Sequence, residues 1–108
     1  MELTLKKGKK SPAEEIEEIA KLYFFAVRKA KELTLSDSDR GLTDYERFID
    51  KVQNAFDSLT DIEKEFINND FFYQAYPNWW MKYYSKSKYY SIKRKSVLSF
   101  LEAFEYEA

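Results

Sequence analysis

Apolar residues recur every three or four positions through most of the chain, the spacing that puts them on one face of an α-helix. Ile16, Ile19, Tyr23, Ala26, Ala30 and Leu33 form the first such stripe, widened by Phe24, Phe25 and Val27. Ser11 is a good N-cap for it, Pro12 suits the first helical position, and Glu14 completes a capping box. The helix is expected to run to about residue 34. A second stripe (Tyr45, Phe48, Ile49, Val52, Phe56, Leu59) follows Thr43 and Glu46, which have the spacing of another capping box and predict a helix from about Asp44. Thr60 and Glu63 have the same spacing before Ile62, Phe66 and Ile67. That third helix should end near Phe72, because the residue before Pro77 is driven out of the helical region.

The last segment, SKSKYYSIKRKSVLSFLEAF from Ser85, divides cleanly by period. Tyr89, Ile92, Ser96, Phe100 and then Ala103 or Phe104 share one stripe, with Val97 and Leu101 beside it. Lys86, Ser87, Tyr90, Ser91, Arg94 and Lys95 lie opposite. Ser85 or Ser87 caps this helix, which continues to about Glu105, and a short helical turn is expected from Asn78 to Tyr84. Between the first two helices, SDSDRG reads as a polar loop. Its glycine and closing carboxylate do not fall where a calcium loop needs them.

Only two Gly and two Pro occur in 108 residues. Sheet folds need many tight turns and the residues that make them, so this scarcity fits a few long helices. The expectation is one all-α domain of four or five helices. Residues 11–58 form its N-terminal helices and 59–105 a helix-turn-helix-like region.

The sequence contains no Cys and no His, so disulfides, thiolate chemistry, zinc centres and histidine acid–base catalysis are excluded. Ser and Tyr have no histidine base, most carboxylates sit at helix starts, and no Gly-rich phosphate loop occurs. The expectation is a protein that is not an enzyme and carries no cofactor or metal. Residues 1–10 are charged, with no apolar run, and do not read as a signal peptide. No apolar run approaches the roughly 20 residues of a membrane span. A cytoplasmic protein without a membrane partner is expected.

Charge is distributed unevenly along the chain. The net charge is −1, yet residues 71–101 hold no Asp or Glu and six basic residues: Lys82, Lys86, Lys88, Lys93, Arg94 and Lys95. The rest of the chain carries 12 basic and all 19 acidic residues, a net of −7. Cationic side chains neutralise phosphates and release counterions, while hydroxyls and helix N-terminal amides bind phosphate oxygens. The candidate DNA-binding residues are therefore Lys82, Ser85, Lys86, Ser87, Lys88, Tyr90, Ser91, Arg94 and Lys95. In such a helix the N-terminal part enters the major groove and the C-terminal part anchors in the core.

The stretch from Leu59 to Phe104 also resembles region 4 of sigma-70-type factors, and more closely the short phage late-gene activators of the ArpU/RinA type. LTDIEKEFINNDFF resembles the family's L-x-x-x-E-x-x-x-I helix. YSKSKYYSIKRKSVLSFL resembles its recognition helix, S-x-S-x-Y-Y-x-x-x-K-x-A-L-x-x-L. PNWWMKYY stands where the family's middle helix reads T-x-x-E-I-A. The resemblance implies a transcription regulator that binds duplex DNA and touches RNA polymerase. Ser85 would cap the recognition helix, Lys86, Ser87, Tyr90 and Ser91 would face the bases, and Lys95 would meet a phosphate.

Two alternatives stay open. One is a helical adaptor or homodimer, with Phe24, Phe25 and Val27 as a further interface. The other is a single-strand binder using the aromatic cluster from Phe71 to Tyr90, whose rings equally suit a core.

Overall fold

The computed structural model describes residues 10–36, 41–74 and 76–106; the basic lead-in to residue 9 and the centre of the SDSDRG loop fall outside them. Helix α1 spans Pro12–Leu35, α2 Leu42–Asp57, α3 Asp61–Ile67 and α4 Lys86–Tyr106. A π-helical turn, Asn68–Phe72, continues α3. There is no strand among the described residues, and the fold is all-α.

Helix starts follow local chemistry. Ser11 Oγ accepts from the Glu14 amide while the Glu14 carboxylate accepts from the Ser11 amide, and Thr60 and Glu63 do the same for α3. Ser85 Oγ accepts from the Lys88 amide at 3.2 Å and caps α4. The second start departs from expectation. Gly41, not Thr43, is the N-cap of α2, at φ 77° and with no side-chain cap. Glycine enters the left-handed region without steric penalty, so the chain turns into the helix two residues before the Thr43–Glu46 pair.

Helices α1 and α2 form an antiparallel hairpin, in which the Phe25 ring meets Tyr45 edge-on and Gln53 Nε2 donates to Tyr23 Oη at 3.2 Å. Helix α4 runs along both α2 and α3. Ile16, Ile19, Ala26, Phe48, Val52, Ile67, Phe71, Val97, Phe100 and Phe104 make one shared core, so the two halves of the chain do not separate into independent units. Of the α1 ridge, Phe24 lies against Phe72 and Tyr73, and Phe25 against Tyr45, all within the chain. Only Val27 of the three is exposed.

Glu63 joins α3 to α4. It is buried, and it accepts from the Ser99 hydroxyl at 2.9 Å as well as from Thr60. Burial pushes its carboxyl pKa up. The hydrogen bonds from Thr60 and Ser99 and the nearby charge of Lys95 outweigh that and hold it below the usual value.

Candidate nucleic-acid interface

The described residues between the π turn and α4, 73–74 and 76–85, form no helix. Gln74 adopts φ 31°, and overlapping turns then carry the chain from Tyr76 to Tyr83. The Trp79, Met81 and Tyr83 amides each donate three residues back, and the Tyr84 amide makes an α-type bond to the Trp80 carbonyl. The helical turn expected over Asn78–Tyr84 is thus a chain of tight turns. The helix-turn-helix pattern lacks its middle helix here.

Side chains rather than helical hydrogen bonds hold this stretch. Asp70 Oδ1 accepts from Trp79 Nε1 at 2.8 Å, Asp70 Oδ2 accepts from the Tyr89 hydroxyl at 2.6 Å, and Lys93 Nζ lies 3.6 Å from the same carboxylate. The Trp79 and Tyr84 rings meet Phe66 edge-on, and Trp80 stacks on Tyr89 at 4.3 Å between centroids. Burial, then the hydrogen bond and charge of Asp70, push the Tyr89 phenol well above its ordinary pKa. The aromatic cluster therefore divides. Phe71 and Tyr89 are buried; Phe72, Trp79, Trp80 and Tyr84 are half-buried; Tyr73, Tyr76, Tyr83 and Tyr90 are exposed.

This network fixes the start of α4, and α4 then sorts its side chains by period. Tyr89, Ser96, Val97, Phe100 and Phe104 point into the core. All nine candidate residues (Lys82, Ser85, Lys86, Ser87, Lys88, Tyr90, Ser91, Arg94 and Lys95) are exposed. Lys82 lies on the turn segment and Ser85 is engaged as the cap; the other seven project from the first three turns of α4. Tyr90 is 53% exposed and its ring leans edge-on against Tyr89. Lys93 is set apart from its neighbours, half-buried over the Phe71 and Tyr89 rings and beside Asp70.

From Lys86 to Lys95 the helix rises about 14 Å, comparable to the roughly 12 Å width of a B-DNA major groove. Its first turn holds no carboxylate, so the positive end of the helix dipole is uncompensated. Further along, the start of α1 bounds the surface. Ser11, Pro12 and Ala13 face Tyr90, Arg94 and Leu98 across an open groove of about 410 Å³. Lys10 adjoins this edge, paired with Glu18.

Asp70 was not legible as a site residue, since it stands just before the carboxylate-free run. Its partners, 9, 19 and 23 residues away, become neighbours only through the fold. Among the described residues no group of three His, Cys, Asp or Glu side chains is placed to hold a metal ion, and no helix is long and apolar enough to cross a membrane. No family model, curated protein or solved structure matches this chain.

Proposed function

We propose that the chain is a sequence-specific duplex DNA-binding protein acting in transcription regulation, with the first half of α4 entering the major groove. One observation carries the reading. Lys86, Ser87, Tyr90, Ser91, Arg94 and Lys95 share an exposed face, and the Lys86, Arg94 and Lys95 head groups make no salt bridge among the described residues. A face that served solubility alone would do as well with mixed signs; this one lies in a run of 31 residues without a carboxylate. Arg94 and Lys95, late on the face, suit phosphates on either side of the groove. Lys86 and Ser87, at the helix tip, suit base edges.

The sigma region 4 resemblance supports the same role for α4 and adds a contact with RNA polymerase. The missing middle helix changes how the recognition helix is held: the Asp70–Trp79–Tyr89 network takes that part. Selection of binding sites from randomised duplexes tests the proposal. The wild-type chain is expected to enrich one motif, and Lys86→Ala or Ser87→Ala to relax it at particular base pairs without lowering the melting temperature. Enrichment of no motif contradicts sequence-specific binding.

A further inference from the structure

The turn segment is anchored on its inner side and left open on its outer side. Trp79 and Tyr84 press on Phe66, Trp80 stacks on Tyr89, and Asp70 accepts from the Trp79 indole, so these side chains tie the irregular backbone to α3 and α4. Yet Tyr76 is 84% exposed and Tyr83 74% exposed. With Lys82 and Asn78 they line a cleft of about 630 Å³, bounded across from them by Glu65 of α3 and Asn69 of the π turn. That volume falls within the roughly 300–1,000 Å³ of small-ligand sites. Among the described residues, none of these six side chains has a hydrogen-bond or ion-pair partner within the chain. Two phenol rings, two amides, a carboxylate and an ammonium group are thus gathered round one space with their bonding capacity unspent.

We propose that this cleft takes an unpaired guanine of a single-stranded nucleic acid, a second binding site distinct from the outward face of α4. Tyrosine faces stack on any base, which gives affinity without sequence preference. Lys82 supplies a positive charge for the adjoining phosphate. The Glu65 carboxylate supplies the selectivity, because it only accepts hydrogen bonds when ionised. Guanine alone presents two adjacent donors, N1–H and the N2 amino group, on the edge that an unpaired base exposes. Adenine and cytosine each offer one amino donor beside a ring nitrogen whose lone pair repels a carboxylate. The Asn69 and Asn78 amides can donate to guanine O6 and N7. A paired guanine has that edge occupied, so the cleft discriminates against duplex. Its position fits such a division, since the segment ends at Tyr84 and α4 begins at Lys86.

The test uses the full chain at low ionic strength with short oligothymidylates carrying one central deoxyguanosine, deoxyadenosine or deoxycytidine, read by tryptophan fluorescence and anisotropy. The deoxyguanosine strand is expected to bind about tenfold more tightly than the deoxycytidine strand, the worth of one hydrogen bond to a charged group, and to perturb the emission of Trp79, which lines the cleft. Tyr83→Ala should weaken every strand by about tenfold, and Glu65→Gln should remove the guanine preference, both without a change in melting temperature. Equal affinity for all strands, or strand affinity untouched by Tyr83→Ala, overturns the proposal. Free guanosine monophosphate binding as tightly as the strand overturns its single-strand part. A duplex arm separates the two sites: loss of duplex affinity in Arg94→Ala with strand affinity intact supports separate sites, and parallel loss of both contradicts them.

Discussion

Tyr89 in α4 donates its phenolic hydrogen to Asp70 in the π turn at 2.6 Å, across 19 residues of chain. The same carboxylate accepts from Trp79 at 2.8 Å and faces Lys93 at 3.6 Å, so one side chain ties the end of α3, the turn segment and α4 together. Hydrogen bonds to a charged group in a sheltered site stabilise more than neutral ones, and removing the acceptor leaves donors unsatisfied. Asp70→Ala is expected to cost about 3 kcal/mol in denaturant unfolding. Asp70→Asn, which keeps an acceptor but not the charge, should cost less. Equal stability of Asp70→Ala and wild type would show that the network holds nothing.

The raised pKa of Tyr89 makes the same bond pH-dependent. Burial and Asp70 favour the protonated phenol in the folded state, with Tyr90, Trp79 and Lys93 also against or near the ring. The stabilisation is complete below the unfolded phenol pKa of about 10 and is lost as pH rises through the folded value above it. Thermal unfolding followed up to strongly alkaline pH should show this loss, and Tyr89→Phe should flatten it. An identical alkaline profile for both proteins would remove Tyr89 from the account.

Glu63 behaves in the opposite sense. Its folded pKa is lowered by hydrogen bonds from Thr60 and Ser99 and by Lys95, against the upward push of burial. Its contribution is present above the unfolded carboxyl pKa of about 4.3 and is lost as pH falls through the lower folded value. Glu63→Gln should therefore be less acid-sensitive than wild type, judged by melting temperature at acid pH. Thr60→Ala, which removes the cap hydroxyl, should cost about 1 kcal/mol at neutral pH.

Much of this architecture was legible from short-range chemistry. Ser11–Glu14 and Thr60–Glu63 mark helix starts because the groups that bond are three residues apart. The division of α4 into core and outward faces needs only helical period, and Lys86, Arg94 and Ser96 fall where that period puts them. The Thr43–Glu46 pair has the same spacing, but a left-handed Gly41 takes the cap first. What was not legible depends on distant partners. Nothing local says that Asp70 will hold Trp79, that Lys93 will turn inward while Arg94 and Lys95 stay out, or that residues 76–83 will be turns.

Gly41 gives a direct check on the start of α2. A methyl group there would meet Tyr45 at 3.7 Å, an ordinary contact, so space is not the obstacle. The backbone angle is. Gly41→Ala should cost about 1 kcal/mol through the left-handed conformation alone, and Thr43→Ala close to nothing. Unfolding experiments that rank the two the other way would restore Thr43 as the cap.

If the outward face of α4 binds duplex DNA, duplex affinity must depend on salt concentration. Log affinity against log salt concentration should fall linearly, with a slope of about −0.9 for each phosphate neutralised. Arg94→Ala and Lys95→Ala should each weaken binding to every duplex and make the slope shallower by about one unit. A folded protein with no salt-dependent affinity for duplex DNA at low ionic strength, or slopes unchanged in both variants, would contradict the account.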